Sequence, residues 1–218
     1  DRDGAKSTEE AAARVTGLIS MPCAFGLAIM AEPVTALLGG YTGENLTLAT
    51  NLMTVLGISI MFNAVVLVTT AIMQAHGHVN RPVVNMLIGG VLKLIAVYVL
   101  TGNRAIGILG TPIGTLLCYL CICILNILSI RKLIADPPAI VKQLLRAFLA
   151  AASMGIFAFG ALWGLKLLGI TSRLILCGAP IAVGVVVYVV AVVVFKVLTR
   201  EDCLLLPKGE KIAKLLRL

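Results

Sequence analysis

The chain has 218 residues, of which 60% are hydrophobic and 13% charged, and its formal net charge is +8. Soluble domains carry about 25% charged residues, so this composition excludes an ordinary soluble domain and predicts an integral membrane protein. Lys and Arg collect in cytoplasmic loops of such proteins, so the positive charge does not indicate nucleic-acid binding, and we expect no nucleic-acid partner.

Six apolar segments follow one another along the chain, and we predict an all-α membrane fold with six transmembrane helices. Each segment can cross a hydrocarbon core of about 30 Å at about 1.5 Å per helical residue. The last one is rich in Val, but lipid requires its backbone bonds to be satisfied within the segment, so it is also predicted to be helical. The segments are 15–38, 46–75, 82–101, 105–130, 144–169 and 173–198.

The first segment contains several interruptions. Pro22 is expected to bend it, and Glu32-Pro33 followed by Gly39-Gly40 is expected to end the spanning part near Ala31. Residues 33–38 are then predicted to form a short helix at the outer surface.

The distribution of basic residues predicts the topology. Fourteen of the eighteen Lys and Arg residues fall in the N-terminal stretch, the second and fourth loops and the tail, whereas only three fall on the opposite side. The remaining one is Lys93, inside a helix. This asymmetry places both termini in the cytoplasm.

Composition also suggests a division of the chain. The second to fourth helices carry Asn, Thr, Ser and Gln, whereas the last two are nearly free of these residues and are predicted to be peripheral. The predicted units are a cytoplasmic stretch 1–14, a four-helix unit 15–130, a cytoplasmic linker 131–143, two peripheral helices 144–198 and a cytoplasmic tail 199–218.

The tail is amphipathic, and we predict that it lies on the inner leaflet, held by anionic lipid and by apolar burial. A calmodulin-like or nucleic-acid partner is a disfavoured alternative. Its basic residues recur every three positions: Lys208, Lys211, Lys214 and Arg217.

Two polar stripes lie on consecutive helices. The polar residues of the second helix fall within a sector of about 60° around the helix axis, and Asn85 and Lys93 of the third helix fall within a sector of about 80°. Such stripes avoid lipid by facing each other or a water-filled cavity, although each Asn or Thr could equally serve as an interhelical hydrogen bond. The stripe of the second helix consists of Ser59, Asn63, Thr70 and Gln74.

Lys93 is the strongest functional candidate. A charge at the bilayer centre costs at least about 2.5–3.5 kcal/mol and therefore marks a functional site by default. The alternative is snorkelling of the ammonium to an interface, but Lys93 lies about eleven residues into its segment. We therefore predict a Lys that faces a cavity.

Enzymatic and metal-binding patterns are not found. There is no intramembrane carboxylate pair, no nucleophile with a His partner and no phosphate-binding Gly loop. Cys118 and Cys121 form a CxxC without a second Cys pair or a nearby His. We predict no enzyme, no metal and no cofactor, and we expect close helix crossings at the GxxxG pairs 110/114 and 160/164.

Four stretches of the chain form a recognisable series: SMPCAFGLAIMAEPVTALLGG, TTAIMQAHGHVNRPVVNMLIGGVLKLIAVYVL, RAIGILGTPIGTLLCYLCICILN and LPKGEKIAKLLRL. In this order they resemble polysaccharide exporters and the stage V sporulation protein B group, within the multidrug/oligosaccharidyl-lipid/polysaccharide exporter superfamily. The resemblance implies the C-terminal portion of a fourteen-helix exporter, namely the last four helices of its second lobe and two extra helices. Gly110-Thr111-Pro112 departs from the Gly-Ala-Ala of that pattern, and we expect a kink there.

The resemblance further implies a flippase of the bacterial cytoplasmic membrane that moves a lipid-linked oligosaccharide or cell-wall precursor by alternating access. Lys93 would then contact the substrate phosphate, and an N-terminal lobe, in the same or a separate chain, would complete the pathway. The start at Asp1 favours a fragment of a longer chain. A multidrug antiporter, which usually needs intramembrane carboxylates, and a truncated non-transporting membrane protein are the alternatives.

Overall fold

A computed structural model describes residues 2–170, 172–195 and 197. Within these residues the chain forms seven α-helices and one 3₁₀ turn, Gly107–Leu109, with no strand. The helices are α1 Arg2–Ile29, α2 Ala31–Leu38, α3 Gly43–Ala75, α4 Asn80–Gly102, α5 Gly110–Leu133, α6 Ile140–Leu167 and α7 Arg173–Val194. The predicted tail, with Lys208, Lys211, Lys214 and Arg217, lies outside the described residues.

All helices except α2 are long and apolar enough to cross a membrane. This confirms the all-α fold class with six candidate spans and is consistent with a multi-pass membrane protein. Backbone hydrogen bonding explains why the candidate spans are helical, because in lipid a single segment satisfies all of its N–H and C=O groups only as a helix.

Four helices begin earlier than the predicted segments, namely α1, α3, α4 and α6. α1 starts at Arg2, so residues 2–14 form its first turns. The sequence AKSTEEAAAR in this part is dominated by strong helix formers. α6 starts at Ile140, two residues after Pro138 and inside the predicted linker, because each proline lacks a backbone N–H and disfavours the helical conformation at the residue before it.

The interruption of the first segment is found where it was predicted. α1 ends at Ile29, and the short helix α2 follows from Ala31 to Leu38. Gly40 then adopts a positive φ of 62°, a conformation that glycine reaches without steric cost. Pro22 lies inside α1, which remains one continuous helix.

The spanning helices form a row in the order α4, α5, α3, α1, α6, α7, in which each packs mainly against its neighbours. α5 therefore lies between α3 and α4, which are consecutive in sequence. The short helix α2 packs on α3 and α7.

One face of α6 is buried in the interior of this row. α6 packs against α1, and its residues Ala147, Ala150 and Ala151 are completely buried. Small residues allow such close approach: a Cβ at Gly17 of α1 would lie 3.0 Å from that of Ala147. α4 is the spanning helix with the fewest buried residues, namely Pro82, Asn85 and Gly89.

Candidate functional site

Asn126 of α5 is the centre of a buried polar network that joins three helices. Its side chain is completely buried. Its Oδ1 accepts a hydrogen bond of 2.9 Å from Nδ2 of Asn85 on α4, and its Nδ2 donates to Thr69 Oγ1 at 3.0 Å and Thr70 Oγ1 at 3.2 Å on α3. Nδ2 of Asn85 also lies 3.3 Å from Ser129 Oγ. We call Thr69, Thr70, Asn85, Asn126 and Ser129 the polar network.

The polar network changes the interpretation of the two predicted stripes. α5 lies between α3 and α4 and packs against both of them. Thr70 and Asn85 are connected through Asn126. They therefore act as interhelical hydrogen-bonding groups, which is the alternative that the sequence left open.

The other candidates of the α3 stripe lie outside this network. Ser59 is buried, and its hydroxyl donates to the carbonyl of Val55 in its own helix at 2.9 Å. Asn63 is half-buried and Gln74 is exposed, and neither side chain forms a hydrogen bond to another described residue. The three residues are not brought together at one site.

Asn126 and Thr69 are residues of the polar network that sequence reasoning missed. Neither belongs to the predicted stripes. The available signal was that an Asn in an otherwise apolar span needs a hydrogen-bond partner on a neighbouring helix, which singles out Asn126 but does not identify its partners.

Close backbone contact fixes α4 on α5. A Cβ at Gly110 would lie 2.8 Å from the Thr101 backbone nitrogen, and one at Gly114 would lie 2.6 Å from Val97 Cγ2. A Cβ at Gly89 would clash with the Ile122 side chain. We call Gly89, Gly110 and Gly114 the α4–α5 seam. The predicted crossing at 110/114 is thus found.

The second GxxxG pair behaves differently. A Cβ at Gly160 or at Gly164 would have no described atom within 4 Å. The close crossing that we predicted for this pair is therefore wrong. GxxxG in an apolar sequence is a weak signal, since any apolar helix rich in small residues contains it by chance.

Lys93 lies at the border of the α4–α5 seam. Its side chain is half-buried, and it forms no hydrogen bond or ion pair with another described residue. Its backbone oxygen would lie 3.5 Å from a Cβ at Gly114, and its charge is within electrostatic range of the Cys118 thiol of α5. The described residues thus provide no counter-charge for Lys93.

Two ion pairs and a hydrogen bond connect the helices at the two predicted membrane faces of the row. At the predicted outer end, Lys166 of α6 contacts both carboxylate oxygens of Glu32, at 2.8 and 2.9 Å. At the predicted cytoplasmic end, His76 Nε2 lies 2.8 Å from Glu9 Oε1, and Lys6 Nζ lies 2.6 Å from Asp136 Oδ1. These contacts tie the first turns of α1 to the end of α3 and to the α5–α6 loop.

Within the described residues, no cluster of three or more His, Cys, Asp or Glu side chains has the geometry to hold a metal ion. His76 is the C-cap residue of α3, and its ring lies within hydrogen-bonding distance of Glu9. The candidate site is therefore the polar network together with the unpaired Lys93. No protein-family model, curated protein or solved structure matches the chain significantly.

Proposed function

We propose that this chain is the C-terminal part of a transporter that moves a lipid-linked oligosaccharide or cell-wall precursor across the cytoplasmic membrane by alternating access. The observation that carries the proposal is that Lys93, in the middle of the spanning helix with the fewest buried residues, is paired by no other described residue. The resemblance to polysaccharide exporters supplies the substrate class and the second lobe.

The position of Lys93 argues against snorkelling. At about 1.5 Å per residue, it lies about 20 Å along the axis from Asn80 and about 14 Å from Gly102. Cα–Cβ bonds tilt toward the helix N-terminus, so the side chain leans toward the longer of the two paths. A Lys in this place needs a water-filled cavity or an anion.

The surface of α4 around Lys93 supports a cavity or a partner lobe. Leu87, Leu94 and Tyr98 are 68%, 73% and 83% exposed, and no described residue covers them. An ammonium at this border suits a phosphate or pyrophosphate, because a charge pair is stronger in a medium of low dielectric constant than in water.

The polar network and the α4–α5 seam hold α4 in one orientation. Asn85 and Gly89 contact α5 from the same side of α4 on which Lys93 lies. A binding group works best when its own element is rigid. We therefore assign the network a positioning role and Lys93 the contact with the substrate.

The test is transport of a fluorescent lipid-linked oligosaccharide in proteoliposomes that contain this chain and the second lobe that the proposal requires. Lys93→Ala is expected to slow transport about 10–100-fold, the value of one hydrogen bond to a charged group. Lys93→Arg should retain most of the rate because it keeps the charge. The matched control is Val185→Ala on α7, at the other end of the row and 57% exposed, which should leave transport unchanged.

Three results would contradict the proposal. Normal transport by correctly inserted Lys93→Ala would remove Lys93 from the substrate site. Drug efflux driven by an ion gradient, without movement of the lipid-linked sugar, would identify an antiporter. Rescue of a flippase-null strain by the 218 residues alone would show that no second lobe is needed.

A further inference from the structure

An apolar groove lies between the end of α5, the α5–α6 loop and the start of α6. Its volume is about 500 Å³, within the range of about 300–1,000 Å³ that is typical of small-molecule sites. Ile127, Ile130, Ile140 and Leu145 form its apolar wall together with Pro137 and Pro138. We call it the α5–α6 groove.

Two basic side chains, Arg131 and Lys142, also line this groove. Both are exposed, and neither forms a hydrogen bond or ion pair with another described residue. The acidic groups nearby are already engaged: Asp136 pairs with Lys6 at 2.6 Å, and Glu10 accepts hydrogen bonds from the Ala139 backbone and from Gln143. Among the described residues, the groove therefore combines an apolar wall with positive charge that no acidic side chain compensates.

We propose that the α5–α6 groove binds an anionic phospholipid, with an acyl chain along the apolar wall and the phosphate between Arg131 and Lys142. The groove lies where two membrane helices end, so that hydrocarbon and headgroups meet at its level. Basic pockets between membrane helices on the cytoplasmic side bind anionic headgroups, and the distribution of Lys and Arg predicts that side here.

The lipid explains both features of the groove. A soluble anion would use the two charges but leave the apolar wall against water, which is unfavourable. A zwitterionic lipid would fill the wall but would bring no net charge to Arg131 and Lys142. Lys132, in the same last turn of α5, and Arg146 of α6 do not line the groove. A comparison with Lys132 and Arg146 therefore distinguishes lipid binding in this groove from a general attraction of basic residues to a charged membrane.

The experiment is native mass spectrometry of the full chain in mixed micelles with phosphatidylglycerol or phosphatidylcholine. The double variant Arg131→Gln/Lys142→Gln should bind phosphatidylglycerol about 25-fold more weakly, about fivefold for each basic side chain. The matched control Lys132→Gln/Arg146→Gln removes the same charge and should change the affinity less than twofold. Phosphatidylcholine binding should be the same in all three proteins.

The outcomes decide the proposal without reference to transport. Equal weakening by the two double variants would overturn it, because net charge alone would then explain the binding. Displacement of phosphatidylglycerol by inorganic phosphate would overturn it as well and would identify an anion site without an acyl chain. Circular dichroism and size exclusion on each variant verify that the compared proteins are folded.

Discussion

Replacing Asn126 by Ala gives a quantitative test of how α4 is held. The substitution removes three hydrogen bonds, one from Asn85 on α4 and two to Thr69 and Thr70 on α3. Hydrogen bonds between membrane helices average about 0.6 kcal/mol, with a maximum of about 1.7 kcal/mol. The expected loss of unfolding free energy is therefore about 2 kcal/mol.

The loss is expected to stay near this value because the former partners keep other contacts. Asn85 remains within 3.3 Å of Ser129 Oγ, and the Thr69 hydroxyl still donates to the Val65 carbonyl at 2.7 Å. No buried polar group of these two residues is left without any partner, so the larger penalty for an unsatisfied group does not arise.

The measurement is the unfolding free energy by steric trapping in bicelles, for the single variants and for the double variant with Asn85→Ala. The cycle should give a coupling of about 0.6–1.7 kcal/mol between Asn85 and Asn126. The matched control is Asn63→Ala on α3, which removes the same side chain from a span without breaking a described hydrogen bond. A cost at Asn126 no larger than at Asn63 would refute the network as a source of stability.

Two further predictions follow from the packing and the charges. Gly57→Ala should destabilise the protein by about 1–3 kcal/mol, because its Cβ would lie 2.8 Å from the Ala28 backbone nitrogen. Gly160→Ala should change stability by less than about 1 kcal/mol, because its Cβ would have no described atom within 4 Å. The unfolding free energies of the two variants test both predictions. Reporter fusions at Gly77 should report the cytoplasm and those at Asn103 the outside, and signals from one side at both positions would contradict the topology.

The number and type of the spanning helices could be predicted from the sequence, because in lipid the length of an apolar segment and the helical state are directly linked. The end of α1 could be predicted as well. Glu32-Pro33 and Gly39-Gly40 are local signals, and they correspond to the short helix α2 and to the turn at Gly40. Local chemistry decides such boundaries without knowledge of the fold.

The neighbours of each helix could not be predicted in this way. The periodicity of the α3 and α4 stripes tells which residues share a face, but not which helix covers that face. Asn126 bridges the two because α5 occupies the place between them. A single Asn forms no stripe, so the periodicity that identified Asn85 gave no signal for Asn126.

The buried face of α6 could not be predicted from the sequence, for a different reason. Lipid chains and buried membrane interfaces are both apolar, so a helix without polar residues fits either environment. The informative residues are the small ones: Ala147, Ala150 and Ala151 are completely buried against α1 and its neighbours. Gly160 and Gly164 are equally small but uncovered, so size alone does not identify the interface.

Asn85 and Lys93 lie on the same helix, so the contacts that orient Asn85 also orient Lys93. They are eight residues apart on α4, about 12 Å along its axis and about 80° around it. The hydrogen bond from Asn85 to Asn126 and the close contact at Gly89 fix the rotation of α4 on α5, and this rotation places Lys93 at the border of the seam. If Lys93 contacts substrate, weakening the network should therefore impair transport without removing any charge. Asn126→Ala tests this directly, because it leaves Lys93 and its surroundings chemically unchanged.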